Sequence, residues 1–453
     1  MSELDTVAPP AAAGASRNPT ASVAASERGA ARTGVTAKHI ALLAHRYVGL
    51  LMTVFLFVAG ITGSVIVFYH ELDEALNPAL YHAPPPTPGA PLLDPLVLRE
   101  RLQAKLPSDN RALFAALEQK PGHAQEFFIQ VPPAQKDTAD DQYFVNPYDG
   151  AVIGSRHRGD LTQGVKNLMP FLYRLHYSLG LGEVGSYMFG ICALLWTVDC
   201  FVGAYLTFPA SSRTRAKKPG RSWLARWKPA WLLKATKLFS LVFSWHRASG
   251  LWVWVMLLVF AWSAVALNLR EVYDPVMNVA FAMPLRADQR IPALPAPRLA
   301  PQLSWDQARA RARQLMAERA EQDHFTVLAE RRLQYNPPRG AYRYLVRSTL
   351  DVSDRYANTT VIIDGDSGKL LAFEAPTGQN AGRTVTTWLY QLHFGSVAAA
   401  GWPYRIFVFL MGFAVALLSV TGVWIWWKKR DKRPGTRRGR GPRAGAAQLL
   451  ELE

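Results

Sequence analysis

The chain has 453 residues, of which 49% are hydrophobic, and it carries 51 lysines and arginines against 34 acidic residues. The net charge of +17 comes mainly from short basic stretches beside very apolar runs, so it indicates membrane topology and contact with anionic lipid. This distribution argues against a water-soluble protein and against nucleic acid as a partner.

Four apolar runs of about 20 residues are each long enough to cross a hydrocarbon core of about 30 Å as a helix. Backbone amides find no water in lipid, so we expect all four runs to be transmembrane helices. They lie at 47–69, 187–208, 250–269 and 406–427. The predicted fold class is an integral membrane α-helical protein with four transmembrane helices.

Composition and charge also predict the boundaries of the segments. The first half contains a disordered cytoplasmic tail (1–38), transmembrane helix 1 (39–70), an extracytoplasmic domain (71–170), a histidine-bearing segment with transmembrane helix 2 (171–209) and a basic cytoplasmic loop (210–237). The second half contains transmembrane helix 3 (238–270), a second extracytoplasmic domain (271–385), a histidine-bearing segment with transmembrane helix 4 (386–427) and a basic cytoplasmic tail (428–453). Because basic segments beside membrane spans stay in the cytoplasm, both termini are predicted to be cytoplasmic.

Each extracytoplasmic domain shows one stretch of helical periodicity followed by strand-like runs. The helices are predicted at 94–106 and 304–320. The strands are predicted at EFFIQV and QYFVNP in the first domain, and at FTVLAE, YRYLVRS and TTVIID in the second. One helix packed on a small antiparallel sheet is the simplest α+β arrangement for each domain.

The two halves also resemble each other. AHRYVGLLMTVFLFVAG at 44–60 is similar to WHRASGLWVWVMLLVFA at 245–261, and FLYRLHYS at 171–178 is similar to TWLYQLHFG at 387–395. Between them, YFVNPYDGAVIG and VIIDGDSGKLLA each predict a strand, a turn and a strand, with Gly150 or Gly368 supplying the positive φ of the turn. Three matches in the same order predict a twofold internal repeat.

These motifs resemble those of the PepSY-associated transmembrane family, over about residues 38–430. The resemblance rests on the HR-x-x-GL span, the helix-and-strand domain ending in D/N-x-x-x-G, and LY-x-LH before the next span. Members of that family include iron-regulated inner-membrane proteins implicated in ferric-siderophore reduction. The resemblance therefore implies two small PepSY-like α+β extracytoplasmic domains and a location in the bacterial inner membrane.

The repeat places four histidines in two pairs. Each half contains an even number of spans, so its axis of symmetry lies along the membrane normal and equivalent residues share one depth. His45 and His246 are therefore predicted to lie together near the cytoplasmic surface. His176 and His393 are predicted to lie together on the far side.

Two imidazoles that face each other across a helix bundle can ligate a haem from both faces, which favours electron transfer over oxygen binding. We therefore expect two haem b groups with these four histidines as axial ligands; structural histidines or another metal are the alternatives. No CxxCH occurs, so covalent c-type attachment is excluded. Arg46 and Arg247 follow the histidines of the first pair, and they pair with haem propionates or reach toward lipid headgroups.

Two further residues carry hypotheses. His70 has no histidine counterpart in the second half, so it either supplements the far-side pair or is only an interface residue. Asp199 stands alone in the second span, where an acid is costly, and it is a candidate proton-relay or quinol contact.

The favoured function is that of a membrane-bound ferric reductase. It would pass electrons from a cytoplasmic or quinol donor to a ferric siderophore or another ferric chelate in the periplasm. The main alternative is a non-enzymatic, membrane-anchored PepSY protein that binds or regulates a periplasmic partner. A transporter is less favoured, because no pair of interrupted spans occupies matching places in the two halves.

Overall fold

The computed structural model describes residues 36–209 and 222–430. The predictions made for the remainder of the two terminal tails and for residues 210–221 of the basic loop therefore lie outside the described residues. The helices of the first half are α1 (Ala37–Ile66), α2 (Tyr69–Leu76), α3 (Pro78–Tyr81), α4 (Pro95–Gln103), α5 (Leu168–Ser178) and α6 (Gly182–Thr207). Those of the second half are α7 (Trp223–Trp227), α8 (Leu238–Trp252), α9 (Trp254–Asn268), α10 (Arg270–Ala280), α11 (Ala287–Arg290), α12 (Trp305–Gln322), α13 (Ala381–Phe394) and α14 (Gly401–Arg430).

Among the described residues, three helices are long and apolar enough to cross a membrane: α1, α6 and α14. The segment predicted as transmembrane helix 3 is interrupted: α8 and α9 pass the same test only together, and their axes differ by 68°. The break falls at Val253, whose φ of −106° and ψ of 10° are not helical. Ser249 and Gly250 lie four and three residues before it, and such Ser/Gly pairs are a known cause of sharp helix bends.

The spans α1 and α14 pack closely at small residues. A Cβ atom on Gly412 would lie 2.3 Å from Ser64 Oγ and 2.5 Å from the Gly60 carbonyl oxygen. Ser64 uses the same close approach to donate a hydrogen bond to the Phe409 carbonyl across the interface. Small residues that let two backbones approach in this way are typical of helix contacts in membranes.

In the described parts of the chain, eight strands form two antiparallel sheets. The strands are β1 (Phe114–Ala116), β2 (Gln125–Phe128), β3 (Gln142–Val145), β4 (Val152–Arg156), β5 (Val327–Asn336), β6 (Ala341–Ser348), β7 (Thr359–Asp364) and β8 (Leu370–Glu374). The three-stranded sheet has the order β2-β3-β4, and the five-stranded sheet has the order β1-β5-β6-β7-β8. The predicted helices and hairpins are confirmed, including the positive φ of Gly150 and Gly368.

The prediction of a separate small sheet for each domain is wrong. Strand β1 belongs to the first domain but pairs with β5 of the second, with Phe114 opposite Gln334. One hydrophobic core contains residues of both helices, such as Leu98 from α4 and Met316 from α12. A three-residue strand has too little sequence pattern to reveal its partner, because a pleated strand shows itself by alternation over four or more residues.

Three ion pairs, formed by two acidic residues of α2, connect this layer to the spans. Asp73 of α2 and Arg156 of β4 form a fully buried pair at 2.6 Å. Glu71 of α2 accepts hydrogen bonds from Arg405 of α14 and from Arg355. Partial burial raises the pKa of Glu71, but these guanidinium bonds outweigh it and lower the pKa to about 2. The sheet layer is thus held against one end of the helices by charged groups.

Candidate functional site

His45 of α1 and His246 of α8 face each other, with 6.4 Å between their ring centroids and 60° between their planes. We call them the first pair. The His45 Nδ1 atom lies 2.9 Å from both carboxylate oxygens of Asp199 on α6. The His246 Nδ1 atom lies 2.9 Å from the hydroxyl of Thr421 on α14. Four different helices therefore contribute to this site.

His176 of α5 and His393 of α13 form the second pair, with 6.2 Å between ring centroids and 80° between planes. Here the His176 Nδ1 atom lies 3.1 Å from the hydroxyl of Thr62 on α1. The His393 Nδ1 atom lies 2.6 Å from the hydroxyl of Ser263 on α9. Thr62 and Ser263 each stand seventeen residues after the first-pair histidine of their own half.

The partners of the Nδ1 atoms determine the tautomer of every ring. A carboxylate such as Asp199 only accepts hydrogen bonds. The hydroxyls of Thr62, Ser263 and Thr421 each donate to a carbonyl oxygen of their own helix, at Val58, Phe260 and Leu417 respectively. Each of these four groups therefore accepts from an Nδ1–H. In this tautomer each Nε2 atom carries the lone pair, which is the form of a neutral imidazole that binds a metal ion.

Glycines make room for three of these rings. The nearest atom to a Cβ built on Gly63 would be His176 Cε1 at 2.8 Å. The same construction on Gly203 meets His45 Cε1 at 3.4 Å, and on Gly422 it meets His246 Cε1 at 3.5 Å. A side chain at Gly63 would therefore displace His176 from its position against α1.

The two pairs lie at different depths. His45 belongs to the first pair, and Thr62 is bonded to His176 of the second pair. Both residues are on α1, seventeen residues apart. At 1.5 Å per residue this separation corresponds to about 25 Å along the helix, close to the thickness of a hydrocarbon core of about 30 Å. The first pair is therefore near one end of α1 and the second pair is near the other.

A cavity of about 410 Å³ contains the first pair. This volume is within the range of small-molecule and cofactor sites. Its walls are mainly apolar, with Met52, Trp196 and Leu257 among them. Its lining includes basic residues. Lys38 and Lys429 lie toward the described ends of α1 and α14, and Arg46 and Arg247 directly follow the two histidines of the first pair.

The remaining candidate residues are placed as follows. Arg46 and Arg247 both line this cavity. Arg247 also donates hydrogen bonds to the carbonyl oxygens of Pro229 and Ala230. His70 is exposed on α2, where its ring contacts the ring of Tyr69. Asp199 has only 10% of its side chain exposed and is bonded to His45.

Sequence reasoning singled out Asp199 but not its bond to His45, and it missed the other residues that orient the histidines. Thr62 and Ser263 could have been found, because the repeat gives them the same spacing from His45 and His246. Asp199 and Thr421 could not be paired with a histidine in this way, because the repeat does not relate them to each other. When Gly203 is aligned with Gly422, the counterpart of Asp199 in the fourth span is Leu418. The two cavity lysines, Lys38 and Lys429, lie near the described ends of the chain and carried no motif.

Comparison with known proteins places these residues in a family context. The family model described as PepSY-associated TM region matches residues 42–429, which include all four paired histidines. A search of the curated proteins finds no match to the chain.

Proposed function

The chain belongs to the PepSY-associated transmembrane family, and from that premise we propose that it is a haem b electron-transfer protein of the bacterial inner membrane. It reduces a ferric siderophore or another ferric chelate on the periplasmic side. The electrons come from a cytoplasmic or quinol donor. Each ferric ion that is reduced to the ferrous state takes up one electron.

One observation carries the proposal: four imidazoles form two close pairs, and the Nδ1 atom of each ring is bonded to an acceptor, so that Nε2 is the nitrogen suited to bind a metal ion. If one metal ion were bound by a nitrogen of each ring, each metal–nitrogen bond would be about 2 Å long, and each nitrogen lies about 1 Å from its ring centre. The two ring centroids would then be about 6 Å apart. The separations of 6.4 Å and 6.2 Å agree with that value. Both pairs therefore have the spacing of two axial ligands to one iron.

The surroundings of the first pair suit haem better than a bare metal ion. Among the described residues, no group of three or more His, Cys, Asp or Glu side chains could hold a metal ion. A bare ion between two imidazoles would lack ligands, whereas a porphyrin provides four. The apolar cavity suits a macrocycle, and Lys38, Arg46 and Lys429 suit its propionates.

The chain's own residues would then do three things. His45, His246, His176 and His393 would hold the two groups, and the Nδ1 acceptors would keep each ring in its ligating tautomer. Haem, when bound, supplies one-electron transfer at each site. The apolar walls of the first site exclude water from it. Two sites about 25 Å apart along α1 would allow electrons to pass from one side of the membrane to the other.

The proposal includes a topology. The bent pair α8 and α9 serves as the fourth span, so that both termini are cytoplasmic and the sheet layer is periplasmic. Lysines and arginines beside the first pair, including Lys228, Lys428 and Lys429, support this orientation. The alternative, an interaction protein without redox chemistry, leaves four consistently oriented imidazoles without a role.

Ferric-chelate reduction by proteoliposomes that enclose dithionite tests the proposal, with ferrous iron trapped outside by a chelator. We expect His176→Ala and His393→Ala each to lower the rate at least about tenfold, because each removes an axial ligand of the second site. His70→Ala is the matched control and should retain the wild-type rate. Equal rates in all three variants would reject the proposal.

A further inference from the structure

The sheet layer contains a cleft of about 630 Å³ at the junction of the two sheets. Its floor is the face of β1 and β5 that points away from the hydrophobic core, and the end of β2 forms a wall. Phe114 and Phe128, whose rings meet edge to face at 5.7 Å, stand at this junction. Gln334, Asn336 and Gln130 add amide groups to the lining.

Two arginines give the cleft its charge. The guanidinium of Arg332 lies 4.5 Å from the ring centre of Phe114, and that of Arg158 lies 4.8 Å from the ring centre of Phe128. Arg158 is paired with Asp141 at 2.9 Å. The Arg332 side chain forms no ion pair or hydrogen bond with any described residue. Stacking on the rings holds both guanidinium groups in place with hydrogen-bond donors still available.

The surroundings of Arg332 add positive charge. The charged groups that act on it most strongly are those of Arg343 and Arg331. Arg343 stands opposite Gln334 on the next strand, and its Nε atom is buried without a hydrogen-bond partner. Arg331 is paired with Glu118, whereas the Arg332 and Arg343 side chains form no ion pair with any described residue. Two unpaired guanidinium groups at this face favour a bound anion, because like charges repel and buried donors would otherwise be left unpaired.

The cleft is connected to the second histidine pair. Arg174 is two residues before His176 on α5, and it donates a hydrogen bond to the Arg158 carbonyl oxygen at 3.3 Å. Arg174 also packs over Gly159, where a Cβ atom would lie 2.6 Å from its side chain. The segment that holds Arg158 in the cleft thus rests on the helix that carries His176.

We propose that this arginine cleft binds an anionic chelate of trivalent iron. Carboxylate or catecholate oxygens of the chelate accept hydrogen bonds from Arg332 and Arg158, and planar parts of the chelator pack on the phenylalanine rings. The identity of the ligand as a ferric chelate rests on the proposed function, whereas the anionic character rests on the cleft alone. Neutral and cationic chelates are discriminated against by charge.

The test measures binding of gallium(III) citrate, a redox-inactive analogue of ferric citrate, to the full-length protein in nanodiscs by calorimetry. Arg332→Gln should weaken binding about tenfold, since it removes a charge-assisted hydrogen bond. Arg332→Lys should recover part of that loss. Arg311→Gln is the matched control, because Arg311 lies on α12 and bonds to the Gly368 carbonyl, on the other face of the same sheet.

The proposal would be overturned by equal gallium citrate affinity in Arg332→Gln and the wild type, or by equal losses in Arg332→Gln and Arg311→Gln. Equal affinity of the wild type for gallium citrate and for the gallium complex of a cationic hydroxamate would also overturn it. This binding needs no electron transfer, so it can fail while the haem spectrum is normal. The proposed function can equally fail while gallium citrate still binds.

Discussion

Asp199 makes the two histidine pairs chemically unequal. A carboxylate accepts the Nδ1–H of His45, whereas neutral hydroxyls accept those of the other three histidines. Hydrogen bonds to an ionised acceptor are about twice as strong as neutral ones and raise the basicity of the ligand nitrogen. A more basic ligand favours ferric over ferrous iron, so the first site should have the lower reduction potential.

Replacing Asp199 should therefore change the reduction potential of the first site and leave that of the second site unchanged. Asp199→Asn is expected to raise the potential of the first site by about 60 mV, which corresponds to about 1.4 kcal/mol for one electron. A potentiometric titration followed by visible absorption measures both sites together, and the second site serves as the internal control. An unchanged or lowered first potential would show that the carboxylate does not act through His45.

At the scale of elements, the contact between α1 and α14 positions one paired histidine and the hydroxyl partners of two others. His45 and Thr62 are on α1, and Thr421 is on α14. The contact at Gly60 and Gly412 lies between these depths and leaves no room for a side chain. The relative position of the two helices therefore depends on a few small residues.

Gly412→Ala should destabilise the protein, because the new Cβ meets backbone atoms that cannot move aside without shifting a helix. We expect a loss of about 1–3 kcal/mol, as for other overpacked positions, measured as a lower midpoint of thermal unfolding in detergent. Gly49→Ala makes the same change on α1, where the added Cβ meets nothing within 4 Å. Equal midpoints for Gly412→Ala and Gly49→Ala would contradict the close contact.

The elements also show how far sequence reasoning reaches. Runs such as YRYLVRS and the turns at Gly150 and Gly368 were predictable, because alternation and positive φ are local properties. The pairing of β1 with β5 was not predictable, since it joins residues that are far apart in the chain and depends on tertiary packing. The bend at Val253 was also missed, because the hydrophobic run that predicted a span continues through it without a proline.

At the scale of the whole molecule, the proposed topology places the sheet layer and the basic segments on opposite sides of the membrane. Asp149→Cys and Ser367→Cys, both exposed at hairpin turns, should react with an impermeant maleimide in intact spheroplasts. Lys228→Cys, which is exposed beside the first pair, should react only after permeabilisation. Labelling of Lys228→Cys in intact spheroplasts would reverse the orientation and the proposed direction of electron flow.

The candidate site was partly visible in the sequence. The repeat predicted which histidines pair, and the structure brings His45 to His246 and His176 to His393. The acceptors of the Nδ1 atoms depend on how each helix is rotated about its axis, which no short motif specifies. The arginine cleft depends on the unexpected β1–β5 pairing and could not be predicted from either domain alone.

The central claim, that each histidine pair holds one haem, is tested most directly by the haem content of the purified protein. We expect two haem b groups per chain, both six-coordinate and low-spin. His45→Ala and His246→Ala should each lose the same single haem, and the double variant should lose no more, because the two residues serve one iron. A wild-type protein without haem, or losses that add in the double variant, would contradict the claim.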